Sequence, residues 1–88
     1  MTSTRAQVYD ALDGERNYQD AKWPLPEHLH SFEEFAVYME DYLAEMKHLL
    51  SRGGGEEAVR KASHIMRKVA AMGVACLEQN GVEYRDGW

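Results

Sequence analysis

Apolar residues recur three and four positions apart through the middle of the chain. Phe32, Phe35, Met39, Tyr42, Met46 and Leu49 follow a 3-4-3-4-3 spacing, the seam of a helix that packs on a partner helix. Ala36, Leu43 and Leu50 widen that seam into a broad core face. The pattern returns as Val59, Ala62, Met66, Val69, Gly73 and Cys76. The second half of this stretch, Val69–Leu77, carries no charge on any face. A helix apolar all round is expected to be buried all round, so it predicts the core of an oligomer. Small residues there, from Ala70 to Cys76, let another helix approach closely.

Punctuation fixes the element ends. "SFEE" is a capping box at Ser31, with Glu34 in the reciprocal position. Gly53-Gly54-Gly55 stops the second helix, and Glu56 and Glu57 open the third with acids that suit its N-terminal dipole. Asn80-Gly81 ends it. The expectation is a long antiparallel helical hairpin over about 31–52 and 56–80. An N-terminal helix precedes it. "TRAQ" caps its start at Thr4, and Trp23-Pro24-Leu25-Pro26 ends it, because a residue before proline is pushed out of the α region. No stretch reads as a strand. The fold class predicted is all-α: three helices in a single domain over residues 1–88, packing as a homo-oligomeric bundle through the second and third helices. The tail "VEYRDGW" offers two aromatics for docking on a neighbour.

Composition narrows the function classes. The chain has 88 residues, 44% hydrophobic and 28% charged, which fits one globular domain. A net charge of −5 argues against a general nucleic-acid binder, which needs surplus Lys and Arg. Cys76 is the only cysteine, so no disulfide within the chain and no zinc cluster of cysteines is possible. That implies a reducing, cytoplasmic setting. The N-terminus has no apolar signal region, and the longest uncharged run is far too short to span a bilayer, so no membrane partner is expected.

Three groups of residues offer chemistry. On the second helix Glu34, Asp41, Glu45 and His48 share a face beside Glu40. These oxygen ligands suit Mg²⁺ with a substrate phosphate, and equally suit a solvated acidic face or a partner for basic residues. On the third helix Arg60, His64 and Arg67 share a face, flanked by Lys61 and Lys68. Planar guanidinium forks suit phosphate, and equally suit ion pairing with the second helix. In the first helix Glu15, Gln19 and Lys22 extend the apolar stripe of Val8 and Leu12. A stripe that turns polar while still facing its partner lines a pocket. Tyr18 and Trp23 are then placed to stack on a base, and Arg16 and Lys22 to meet phosphate. The alternative is a connector in which Trp23 plugs the core and Glu15 pairs with Lys22 or Arg16. His28 and His30, two apart before the second helix, are a weak metal signal. Cys76 lies in apolar surroundings where a thiol is inert.

Three segments together carry a family resemblance: "ERNYQDAKW", the "HSF" helix start and "RKVAAMGVACLEQNG". The chain resembles a group of small phage and prophage proteins with the pattern E-R-x-Y-Q-D-x-K-W followed by R-K-x-x-A-x-G-V-A-C-x-E-x-x-G. That group is similar to reduced relatives of the all-α nucleoside triphosphate pyrophosphohydrolases of the MazG type. The resemblance implies an oligomeric helical bundle that handles nucleotides, with Mg²⁺ as cofactor if it is an enzyme. MazG-type enzymes carry E-x-x-E on one helix and E-x-x-D on the next. Here the second helix offers Glu40, Asp41 and Glu45 without that spacing, with Asp41 and Glu45 as the metal candidates, and the third has no acid between Glu57 and Glu78. A Mg²⁺-activated water needs those carboxylates. The expectation is therefore a protein that captures a nucleotide or nucleotide-derived signal without cleaving it and requires no cofactor. It resembles in outline the phage "sponges" that sequester immune messengers. The alternatives are a Mg²⁺-dependent pyrophosphohydrolase and an inhibitor that binds a host protein through its acidic face.

Overall fold

A computed structural model describes residues 2–88. Among them the chain forms three α-helices, α1 (Arg5–Lys22), α2 (Phe32–Ser51) and α3 (Gly55–Asn80), and a short 3₁₀ turn at Arg85–Gly87. The all-α reading and its three elements hold.

The helix starts follow their capping residues. The Thr4 hydroxyl accepts the Gln7 backbone N–H at 3.1 Å, and Gln7 Oε1 accepts the Thr4 N–H at 2.8 Å. Ser31 and Glu34 make the same reciprocal pair at 3.1 and 3.0 Å. Glu34 is held below its ordinary carboxylate pKa, first by that backbone N–H of Ser31 and further by the Ser31 hydroxyl and His30. No side chain caps α3, whose first turn instead carries Glu56 and Glu57. The turn before it needs φ of +67° at Gly53 and +65° at Gly55, a region that glycine enters without penalty. α1 ends at Trp23, whose N–H still reaches Gln19 O at 2.8 Å.

α3 is the shared support. α2 packs along it and α1 packs along it, and α1 does not pack on α2. The tightest cluster joins Phe35 of α2 to Ala75 and Cys76 of α3, with Met39 and Met72 against it. Burying a side chain the size of Phe35 contributes about 1.5–3 kcal/mol.

The two-sided use of α3 changes its expected seam. Val59 and Met66 are exposed, while Ala58, Ala62, Ile65, Val69, Ala71, Ala75 and Cys76 are buried. A helix covered on two flanks buries an arc wider than one a/d stripe, and that arc is centred on Ile65 and not on Met66. Val74 and Leu77 are exposed in the single chain, so the apolar half of α3 is not covered all round. Phe32 of the α2 seam is also half exposed. Tyr84 and Trp88 in the tail stand in solvent and dock on nothing within the chain. Among the described residues no helix is long and apolar enough to cross a membrane.

Candidate functional site

A cavity of about 530 Å³ opens between α1 and α2, floored by α3 and closed at one end by the connector of residues 23–31. This is within the size range of small-molecule sites. α1 contributes Arg16, Gln19 and Asp20. The connector contributes Trp23, Leu25, His28 and His30. α2 contributes Phe35, Tyr38, Asp41 and Tyr42, and α3 contributes Lys68, Met72, Ala75 and Gln79.

The polar end of the α1 stripe builds the near wall. Glu15 and Gln19 are buried at 8% and 6% exposure, although both are polar. Glu15 Oε1 accepts a hydrogen bond from Arg67 Nε at 2.8 Å. The expected pairing of Glu15 with Lys22 or Arg16 does not form, because Arg67 reaches it from α3. Gln19 Nε2 donates to the Lys68 carbonyl at 3.4 Å, and Gln19 Oε1 accepts from Arg16 at 2.8 Å. Arg16 is saturated: its remaining nitrogens meet Asp20 at 2.6 Å and Glu78 at 3.0 Å. Its charge already has two carboxylates, so it serves to fix Gln19 and the wall.

Lys68 differs. It has no carboxylate partner among the described residues, and its ammonium lies 4.9 Å from the centre of the Tyr42 ring. A cation on an aromatic face is positioned without being neutralised. Lys22 points to the rim, exposed, with its ammonium 4.9 Å from the centre of the Trp23 ring and 5.7 Å from that of Tyr18. Trp23 is 43% exposed and lines the cavity; it does not plug the core. Tyr18 stands outside the lining.

The connector is tied down from the end of α3. His30 N–H donates to Gln79 Oε1 at 2.8 Å, and Asn80 Nδ2 donates to the His30 carbonyl at 3.0 Å. The His30 ring meets Phe35 and Tyr38 edge-on. Its Nδ1 is buried and unpartnered, 3.6 Å from Glu34 Oε2 and so beyond hydrogen-bond reach.

Several predicted residues go elsewhere. Arg60 is exposed and bonds Glu57 at 2.7 Å. His64 is exposed and lies 2.7 Å from Arg67, which is itself turned to Glu15. The basic face of α3 is thus spread along the outside of α1's contact and does not enter the cavity. Asp41 lines the cavity, Glu40 lines an open groove on the other side of α2, and Glu45 lines neither. Within one chain these acids are not brought together, and among the described residues no three His, Cys, Asp or Glu side chains gather for a metal ion.

The sequence reading found Arg16, Gln19 and Trp23 in the lining, named Asp41 only as a metal candidate and Lys68 only as a flank of the basic face, and did not single out Tyr38, Tyr42 or Gln79 for a site. The signal for the tyrosines was present: Tyr38 and Tyr42 are one turn apart on the flank of the α2 seam that faces α1. Set against family models, curated proteins and solved structures, the chain finds no match in any of the three.

Proposed function

We propose that the chain is a binding protein that captures a nucleotide or nucleotide-derived small molecule in this cavity and holds it without cleavage. The observation that carries this reading is Lys68. It is a cavity cation without a carboxylate partner, held on the Tyr42 face, in a space that also presents the Trp23 and Tyr38 rings. A fixed ammonium suits a phosphate, aromatic faces suit a base, and Gln19, Asp41 and Gln79 offer hydrogen-bond groups for its edge. The resemblance of "ERNYQDAKW" and "RKVAAMGVACLEQNG" to small phage proteins of MazG-like type points to the same ligand class and to a role in sequestering a host signal. The incomplete carboxylate set favours capture over hydrolysis. The second reading from that resemblance, a Mg²⁺-dependent pyrophosphohydrolase, needs Glu40, Asp41 and Glu45 completed by another chain.

Native mass spectrometry of protein purified from cells tests the proposal, followed by denaturation and analysis of the released small molecules. An intact nucleotide released in stoichiometric amount is expected. Conversion of added nucleoside triphosphate into monophosphate and pyrophosphate, dependent on Mg²⁺ and on Asp41, would overturn it.

A further inference from the structure

The side of the molecule away from the cavity is apolar across two helices. On α2, Phe32, Ala36, Leu43 and Leu50 fall on one flank by helical spacing. Phe32, Leu43 and Leu50 are 50%, 39% and 47% exposed. Phe32, Ala36 and Leu43, with Met39 and Cys76, line an open groove of about 440 Å³. On α3, Met66, Gly73 and Leu77 lie on the adjoining flank, and Gly73 leaves a notch beside the Met39 methyl. α1 cannot cover this face, because it packs on the opposite flank of α3.

The surface area leaves room for a second copy. The chain exposes 7111 Å², whereas a folded monomer of 10.1 kDa is expected to expose about 5,300 Å². The surplus of about 1,800 Å², which this face shares with the open cleft and the tail, is of the order of the roughly 1,000–2,500 Å² that an obligate homodimer covers on each partner. The radius of gyration agrees: 14.5 Å, against about 12 Å for a domain of this length.

The charges on the same flank fit a copy of themselves. Glu40 and Lys47 border Leu43 on either side, and neither has an ion-pair partner among the described residues. A two-fold axis crossing α2 at Leu43 lays it antiparallel on a second α2. Glu40 then meets the other copy's Lys47, Ala36 meets Leu50, and Leu43 meets itself. Such reciprocal matching is what an isologous interface requires.

We propose that a second copy of this chain occupies the α2–α3 face, antiparallel, about a two-fold axis at Leu43. The inference stands on surface area and charge and uses nothing in the cavity. Sedimentation velocity on the purified chain is expected to show a dimer at micromolar concentration. Leu43→Asp is expected to give a monomer that keeps its helicity by circular dichroism. Glu40→Lys and Lys47→Glu alone each place like charges opposite one another twice, and are expected to raise the dissociation constant about tenfold at low salt. The double variant Glu40→Lys/Lys47→Glu restores it. These two sites are exposed, so the charge series remains decisive if Leu43→Asp fails to fold. A wild-type monomer, an assembly that folded Leu43→Asp leaves intact, or a double variant no tighter than the singles would overturn the proposal.

Discussion

Glu15 Oε1 and Arg67 Nε stand 2.8 Å apart, with the carboxylate buried and the guanidinium about one-third exposed. This pair fastens α1 to α3 from the middle of both helices. It also explains why Arg67 is not a ligand group: its fork is turned inward, away from the cavity. Arg67→Ala leaves Glu15 buried without its cation. The expected cost is about 1–3 kcal/mol, read as a lower urea midpoint with an unchanged slope. Arg67→Ala with Glu15→Leu recovers much of the loss, since an apolar pair of similar volume needs no desolvated charge.

Lys68 separates the cavity from the exposed basic face of α3. On the proposed function, Lys68→Ala is expected to weaken nucleotide binding by about tenfold or more, the value of one charge-assisted contact. Arg60→Ala leaves the affinity unchanged, because Arg60 is spent on Glu57 in solvent. Isothermal titration calorimetry on the two variants tests the assignment. A larger loss at Arg60 would move the site to the outer face.

Trp23 and Trp88 are the two tryptophans, and Trp88 is almost fully exposed in the tail. Trp88→Phe therefore isolates the emission of Trp23. Nucleotide binding is expected to quench that emission by stacking, and Trp23→Ala is expected to reduce affinity while leaving the thermal midpoint nearly unchanged. A Trp23 signal indifferent to saturating nucleotide would place the base elsewhere.

Glu34 gives the fold an acid limb. Its carboxylate accepts the Ser31 N–H, so its pKa in the folded chain lies below the ordinary 4.5. A depressed acid contributes stability that is present above the unfolded pKa and is lost as pH falls through the folded one. Glu34→Gln keeps a capping side chain, as Gln7 does in α1, but cannot titrate. Thermal midpoints followed from neutral to acid pH are expected to fall less steeply in this variant.

Gly14 sits within α1 with open space where a Cβ would stand. Gly14→Ala is expected to stabilise the chain by about 0.5–1 kcal/mol, measured as a higher urea midpoint, since nothing has to move.

The local signals in the sequence were strong where a single residue decides the outcome. Thr4 with Gln7 and Ser31 with Glu34 specify helix starts by hydrogen bonds within one turn, and both form. Glu15 and Gln19 were legible as a buried continuation of the Val8–Leu12 stripe because spacing alone carries that inference, although Val8 and Lys22 at its ends are exposed. The third helix was harder. A 3-4 pattern assumes one partner, whereas α3 supports two, and its buried arc takes in Ile65, Ala71 and Ala75 while leaving Met66 and Val59 exposed. The site was half legible for the same reason. Arg60, His64 and Arg67 share a helical face, but which direction that face looks depends on where α1 lies, and no spacing in the chain encodes it. Lys68 was read as a flank to that face and is the member that enters the cavity.

α1 and α2 each rest on α3 and do not pack on one another. The width of the cleft is therefore set by two separate packing angles, like two pages held by one spine. A molecule gripped at once by Gln19 on one page and Tyr38 on the other becomes the missing cross-brace between them. Its binding energy is then also rigidity, so occupancy and resistance to unfolding rise together as ligand concentration exceeds the dissociation constant.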